Sequence, residues 1–334
     1  MTALKKLGER EVIRRLAALL PSRPDVRAGI GHDVAVVAGN RAYDFLLKSD
    51  AVVEGRHFLP TTPPRQIGHK ALGRVLSDLA AAGGEPLWAL VNLVTPRGEK
   101  MSRLRAIYQG LATLARRHGL AIVGGDTTEG PALELHVFAV GRLPRGTALL
   151  RSGARPGDVV FVTDTLGGSL AGKHLRFIPR LAEGRWLRAG DWATATIDLS
   201  DGLATDLDHI LEMSRVGAKI FTEKIPIAKA VFRLRPARRD YGGQVQGFEK
   251  TNSLFSKPWK KRSPLAHALG DGEDFELLFT VPCCQAVALE QAWRKKFRTR
   301  LTAIGVITRG AGKIVWLKNG TPLTLHAAGF EHFR

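Results

Sequence analysis

The chain has 334 residues, of which 44% are hydrophobic, and it carries a formal net charge of +19 at pH 7. Single cores rarely grow beyond about 250–300 residues, so the length favours two ordinary domains over one large one. The only cysteines, Cys283 and Cys284, are adjacent, which excludes a Cys-x-x-Cys motif and a disulfide framework and predicts a reducing cytoplasm. No stretch approaches the roughly 18 uncharged apolar residues of a membrane span, so we expect no membrane contact.

Nearly half of the excess positive charge lies in one segment. Between residues 229 and 262, ten Lys and Arg residues face only two acidic residues, a local balance of +8. Turn signals such as SKP and RSP interrupt this segment, which predicts a basic insertion in an extended surface loop. A solvated loop is the simpler interpretation. Contact with nucleic acid is the alternative, although the aromatic residues there lack the spacing of an RNA-binding module.

Strands and helices alternate along the chain, which predicts an α+β protein with two halves. The first twenty residues read as an amphipathic helix and not as a signal peptide. Helical spacing predicts helices over 67–82 and 104–117, and a further helix from Leu203 that stops near Gly217. Turn signals near 144–158 divide the chain into domains 1–145 and 146–334. Strands are predicted over 34–37, 45–47, 89–94, 120–123, 133–140, 159–162, 275–281, 301–307 and 313–317.

Five glycine-rich or apolar segments each contain carboxylates. They are GIGHDVAVV, KSDAVVEGRHF, LSDLAAAGG, IVGGDTTEG and IDLSDGLATDL. A carboxylate removed from water costs several kcal/mol unless a cation or hydrogen-bond donors compensate it. Oxygen ligands without His or Cys pairs at zinc spacing indicate a hard cation such as magnesium, which commonly accompanies phosphate. Phosphoryl transfer is therefore the first hypothesis.

Each of these acids also has a structural interpretation. Asp78 projects from the apolar side of its helix, where Arg74, four residues earlier, could pair with it. Asp198 and Asp201 flank Ser200 at the start of a helix, where an N-cap is common. Asp126 follows two glycines at the end of a strand, as in an ordinary turn. Capping or turn formation explains single residues but not the whole set.

The motifs resemble, in the same order and nearly from end to end, those of the thiamine-monophosphate kinase family. To the segments above the chain adds IGHKALGRVLSDLAAAGGEPLWAL, RSGARPGD, GDGEDFELLFTVP and the terminal GFEHF. The family belongs to the superfamily of aminoimidazole ribonucleotide synthetase. The resemblance implies an α+β fold of two domains, with an N-terminal sheet domain that mediates homodimerisation and a C-terminal α/β sandwich.

The resemblance also implies an activity, the phosphorylation of thiamine monophosphate by ATP with several Mg²⁺ ions, and a role for individual residues. By motif position, the metal ligands would be Asp33, Ser49, Asp50, Asp78, Asp126, Asp198 and Asp201. ATP would contact Tyr108, Gly125, Asp126, Arg151 and Ser200. The thiamine side would be lined by His57, Glu273 and Phe330. Catalysis would centre on Asp126, Asp201 and Arg151: the Mg²⁺ ions held by the two carboxylates, together with Arg151, would neutralise the charge on the moving phosphoryl group.

Three departures from the family pattern affect this interpretation. His32 replaces an acid, Lys48 replaces a small hydroxyl residue, and Asp271 replaces a glycine; either of the first two could weaken a metal position. Lys48 could instead contact a phosphate as a point charge. Two alternatives therefore stay open: an enzyme of the same superfamily that acts on another acceptor, and a non-catalytic basic binding protein.

Overall fold

The computed structural model describes residues 9–233 and 262–325, and within these ranges fourteen strands form two seven-stranded sheets. The first sheet has the order β1-β2-β3-β7-β4-β5, with β6 paired to β4. Two of its three eleven-residue strands, β3 and β7, pair antiparallel over their full length. The strands of this sheet are β1 (Val26–Ala28), β2 (Ala35–Ala38), β3 (Tyr43–Val53), β4 (Glu85–Thr95), β5 (Ala121–Gly124), β6 (Thr127–Glu129) and β7 (Glu134–Pro144).

Two long helices pack together beside the first sheet: α2 (Pro64–Ala81) and α3 (Met101–His118). A shorter helix, α1 (Glu9–Ala17), precedes the sheet. Proline at the first position of α2 suits a helix start, because its missing N–H would have no intrahelical partner. The apolar face of α2 supplies Ile67, Ala71, Val75 and Leu79 to the core, as its periodicity predicted.

The second sheet has the order β14-β13-β10-β12-β8-β11-β9. Its strands are β8 (Val159–Thr163), β9 (Ala195–Asp198), β10 (Gly217–Phe221), β11 (Leu277–Val281), β12 (Leu301–Thr308), β13 (Ile314–Lys318) and β14 (Thr321–Leu323). The accompanying helices are α4 (Leu181–Ala189), α5 (Leu203–Ser214), α6 (Pro264–Gly270) and α7 (Cys283–Lys296). The α+β fold class is thereby confirmed. The predicted boundary after residue 145 falls in the connection between β7 and β8.

Helix α2 contacts both halves of the molecule. It packs on β3, β7 and α3 of the first half and on α4 and β9 of the second. At Gly184 of α4 a Cβ atom would lie 1.8 Å from the Ala80 carbonyl oxygen of α2, so only glycine permits this approach of the two backbones. Polar residues of α2 consequently face residues that lie more than 100 positions later in the chain.

Two sequence predictions concern residues that the structure does not describe. The basic insertion predicted at 229–262 lies outside the described residues except at its two ends, and Phe330 lies outside them as well. Within 9–233 and 262–325, no helix is both long enough and apolar enough to cross a membrane.

Candidate functional site

Three carboxylates converge where α2 meets the second sheet. Asp33 comes from the loop before β2, Asp78 from the last turn of α2, and Asp198 from the end of β9. One oxygen of each lies within 4.8 Å of the others, and all three side chains are buried. Because these residues are distant in the chain, the fold itself assembles them. We call Asp33, Asp78 and Asp198 the acidic triad.

The triad is electrostatically unfavourable as it stands. Burial raises the pKa of Asp198 to about 6, and the neighbouring Asp33 adds to the shift. Burial likewise holds the pKa of Asp78 well above its ordinary value, although Lys48 opposes this. Neighbouring buried carboxylates raise one another's pKa in this way, because the negative charge of each disfavours ionisation of the others. A hard cation coordinated by these oxygens would remove the penalty.

Each member of the triad also has a protein partner. Arg151 donates from Nε to Asp33 Oδ1 at 2.9 Å and from Nη1 to the Gly31 carbonyl oxygen at 3.1 Å. The Lys48 ammonium lies 2.7 Å from Asp78 Oδ1. On α2, the Ser77 hydroxyl donates to Asp198 at 2.6 Å. These contacts fix the direction in which the carboxylates face.

The pair between Arg74 and Asp78, which was the structural alternative for Asp78, does not form. Arg74 instead donates to Asp50 on β3, at 2.8 and 3.1 Å, and to Glu273 at 3.2 Å. The helical spacing made the contact possible, but the carboxylates of β3 and of the second half surround the guanidinium more closely. Asp78 instead pairs with Lys48, a residue that the sequence analysis noted only because it departs from the family pattern.

A further carboxylate, Asp201, lies in the turn between β9 and α5. Burial raises the pKa of Asp201 to about 7, with the nearby acids Glu9 and Asp198 contributing. The turn is held by Asp206, whose Oδ2 accepts from the backbone N–H groups of Asp201 and Gly202 at 3.1 and 3.0 Å. Gly202 is the N-cap of α5 and no side chain caps that helix. The capping interpretation of Asp198, Ser200 and Asp201 is therefore wrong.

Glu273 is bound between cations from the first half. Lys70, which is fully buried, places its ammonium 2.6 Å from Glu273 Oε2 and also donates to the His57 carbonyl oxygen. Burial works to raise the pKa of Glu273, but Lys70, His174 and Arg74 outweigh it and hold the pKa below its ordinary value. The carboxylate is thus ionised.

The backbone around Glu273 is strained. Glu273 and Phe275 have φ values of 55° and 51°, in the left-handed region that non-glycine residues rarely adopt. The N–H groups of both residues donate to the strand-to-turn segment before α5, to Ser200 O at 2.7 Å and Leu199 O at 2.8 Å. Strain of this kind costs about 1–3 kcal/mol per residue and is concentrated at functional sites.

Other predicted site residues lie apart from the triad. Lys48 and Asp50 reach α2 from one face of β3, so Ser49 between them points to the opposite face, where it is exposed. Asp126 is exposed in the link between β5 and β6, and Tyr108 on α3 is 37% exposed. Gly125 has φ of 151°, and a Cβ there would lie 1.9 Å from the Val91 carbonyl oxygen.

Sequence reasoning did not assign a site role to Lys70, Arg74 or Asp206. Lys70 and Arg74 lie one turn apart on α2, on its buried side, and charged residues at buried helical positions are a readable signal. Asp206 is the third acidic residue of the IDLSDGLATDL segment and lies four residues after Gly202. The helical periodicity of α2 could have identified Lys70 and Arg74 as buried cations, although not Glu273 as their shared partner.

The fold and the acidic triad define a class of protein. A family model described as AIR synthase related protein, N-terminal domain, matches residues 31–143. This range contains Asp33 and Asp78 and ends close to the end of β7. The match therefore covers the first sheet from β2 to β7 together with α2 and α3.

Comparisons over the whole chain identify the family. The thiamine-monophosphate kinase of Escherichia coli (strain K12) is 34% identical over 93% of this chain and 94% of its own. The solved thiamine-monophosphate kinase of Stenotrophomonas maltophilia K279a is 32% identical, with a TM-score of 0.69 over 93% of this chain and 96% of its own. A structure described as AaThiL complexed with AMPPCP and TMP has a TM-score of 0.79, is 29% identical and covers 99% of both chains. The chain belongs to the thiamine-monophosphate kinase family.

Proposed function

We propose that this chain transfers the γ-phosphoryl group of ATP to the phosphate of thiamine monophosphate, which yields thiamine diphosphate and ADP. The acidic triad carries the proposal, because three buried carboxylates from three distant elements are a costly arrangement without a cationic or phosphorylated ligand. Similarity to thiamine-monophosphate kinases over nearly the full length, including a structure described with AMPPCP and TMP, supports it.

The donor set of the site fits Mg²⁺. Buried carboxylate oxygens are hard ligands, and the raised pKa values of Asp78 and Asp198 indicate that the protein's own cations compensate these carboxylates only in part. We propose that Asp33, Asp78 and Asp198 hold magnesium together with Asp50 and Asp201, and that Ser49 and Asp126, which are exposed and lie apart from the triad, contribute ligands to a separate magnesium ion. When bound, magnesium would neutralise phosphate oxygens and bring two anionic substrates together.

The protein's own contribution is positioning and charge. Three of the five N–H groups of Arg151 are used by Asp33 and Gly31, which leaves two for a phosphate oxygen of ATP. Tyr108, Gly125 and Ser200 are the other proposed ATP contacts. An oxygen of the acceptor phosphate forms the new bond to the γ-phosphorus, while the bond to the β–γ bridging oxygen breaks and ADP leaves. The acceptor oxygen is already anionic near neutral pH, so the step needs no strong general base.

We assign the thiamine side to His57, Glu273 and Phe330. Burial lowers the pKa of His57 to about 3, and Arg74 adds to this, so the ring is neutral at physiological pH. Glu273 is an ionised carboxylate, which suits the positively charged thiazolium of thiamine. Lys70 and Arg74 fix its position from α2.

The test is ADP release from ATP and Mg²⁺ with thiamine monophosphate as acceptor. Thiamine and a reaction without acceptor are the controls. Product formed only with the monophosphate supports the proposal, and turnover only with another phosphate or carboxylate acceptor would favour a different enzyme of the superfamily. Asp201→Asn and Asp126→Asn should each abolish turnover while the fold is retained, because each removes a proposed metal ligand. Unchanged turnover in both would refute the metal assignment.

We also propose that the chain forms a homodimer through its first sheet. Trp88 and Leu90 on β4 are 46% and 39% exposed, and Val123 on β5 is 60% exposed, so adjacent strands present apolar side chains to solvent. Trp88→Glu should convert a dimer into a monomer in sedimentation equilibrium, whereas Val287→Glu on α7, which is 67% exposed, should not. A monomeric parent protein would overturn the proposal.

A cytoplasmic location is proposed as well. Its support is the pair of exposed free thiols of Cys283 and Cys284, which suits a reducing compartment. Cell fractionation tests it, since recovery of the native protein outside the cytoplasm would contradict it.

A further inference from the structure

Lys48 is a charged residue that the proposed reaction does not require. It lies on β3, on the same face as the buried residues Asp44 and Leu46. This face packs against α2, and the ammonium group lies 2.7 Å from Asp78 Oδ1, at the acidic triad. The Lys48 side chain is only 23% exposed and that of Asp78 only 9%. The contact is therefore a largely desolvated ion pair and not a surface bridge.

The charge of Lys48 acts on more than its partner. Burial alone would lower the pKa of the ammonium group, but Asp78, Asp50 and Asp33 outweigh it and raise the pKa above its ordinary value. The same ammonium works to lower the pKa of Asp198. The Lys48 ammonium group therefore interacts electrostatically with every member of the triad.

The position of this charge matters for any divalent cation at the triad. If all three carboxylates are ionised, they carry a charge of −3, and Lys48 and Arg151 return +2, so the cluster keeps one negative charge that these two cations do not compensate. An oxygen of Asp78 that accepts from an ammonium group at 2.7 Å cannot also coordinate a divalent cation without bringing two positive centres into close repulsion. Lys48 and a metal ion thus compete for the same oxygen.

We propose that the Lys48 ammonium group is a built-in cation of the phosphoryl-transfer site, placed on Oδ1 of Asp78, where a further divalent ion would otherwise bind beside the magnesium that the triad holds. The chain then binds one divalent ion fewer than its carboxylates could hold, and Asp78 is oriented before the nucleotide arrives. The inference rests on the magnesium site proposed above, and it concerns the number of ions and not the identity of the acceptor.

The experiment counts bound ions directly. Mn²⁺ replaces Mg²⁺, and free Mn²⁺ is measured by electron paramagnetic resonance during titration of the whole chain with a non-hydrolysable ATP analogue present. The variants are Lys48→Ser, which removes the charge, and Lys48→Arg, which keeps it. Lys219→Ser is the matched control, because Lys219 is an exposed lysine on β10 of the other sheet. Circular dichroism establishes that each variant is folded, and Lys48→Met, which keeps the apolar stem, replaces Lys48→Ser if the latter is not.

We expect Lys48→Ser to bind one more Mn²⁺ per chain than the parent, or to bind its last Mn²⁺ at least tenfold more tightly. Lys48→Arg and Lys219→Ser should match the parent protein. Equal or weaker Mn²⁺ binding by Lys48→Ser would overturn the role of Lys48 and leave the metal site intact. Failure of every variant and of the parent to bind Mn²⁺ would overturn the metal site itself, and the inference with it.

Discussion

Removing the charge of Lys70 tests how the two halves are held together. In Lys70→Met the side chain keeps nearly the same length and volume, so no cavity forms. The variant loses the 2.6 Å contact with Glu273 and leaves the His57 carbonyl oxygen without its lysine donor. Breaking a buried ion pair by removing one partner costs about 3–5 kcal/mol. Arg74 still reaches Glu273 at 3.2 Å, so we expect the lower end, about 3 kcal/mol of unfolding free energy.

The measurement is urea unfolding followed by circular dichroism. Lys219→Met is the control, because an exposed lysine without a buried partner should change the unfolding free energy by less than about 0.5 kcal/mol. The double variant Lys70→Met with Glu273→Gln should lose less unfolding free energy than the sum of the two single variants, by about 1–3 kcal/mol. The reason is that the double variant removes both charges and so leaves neither of them without its partner. A loss below about 1 kcal/mol in Lys70→Met, or strict additivity, would refute the description of this pair as a desolvated link.

Three further outcomes are expected. The raised pKa values of Asp198 and Asp201, about 6 and 7, mean that the folded state holds protons which the unfolded state releases above pH 4. Stability from these groups is therefore present below pH 4 and lost as pH rises through 7. In urea unfolding without metal, Asp201→Asn should be about 2–4 kcal/mol more stable than the parent at pH 8 and equal to it at pH 4, and equal stability at pH 8 would contradict the shift. Gly125→Ala should lose about 3 kcal/mol or more in the same assay, because its Cβ would lie 1.9 Å from the Val91 carbonyl oxygen, and a neutral effect would contradict that packing. Asp206→Ala should lower both stability and turnover because two backbone N–H groups lose their acceptor, whereas Asp206→Asn, which keeps an oxygen there, should lose less of each; equal losses would show that the hydrogen bonds are not the cause.

The sequence predicted the elements whose periodicity is strong. Helices α2 and α3 were predicted to within three residues at each end, because their apolar faces repeat over eighteen residues. Strand β3 was predicted only over 45–47, because the polar run Lys48, Ser49 and Asp50 interrupts the apolar pattern. Lys48 and Asp50 are accommodated by Asp78 and Arg74 of α2, which no local pattern could show.

Other elements gave too weak a signal. Helix α7 buries only Leu289 and Trp293, so its apolar stripe is too sparse to be recognised, and α4 was missed as well. For the site, the carboxylates of the triad could be identified from their residue type and surroundings. Their partners could not, since Glu273 and Lys70 are separated by 203 positions and only the tertiary fold brings them together.

The backbone contact between α2 and α4 at Gly184 has a consequence for how substrates reach the site. An enzyme that works by domain closure needs an interface between its domains that can separate. Helices α2 and α4, however, are in main-chain contact at Gly184. Separating them would expose the buried Lys70 and Glu273 as unpaired charges. We therefore expect both substrates to enter along surface loops while the two halves keep a fixed orientation. Small-angle scattering with and without an ATP analogue should then give the same radius of gyration.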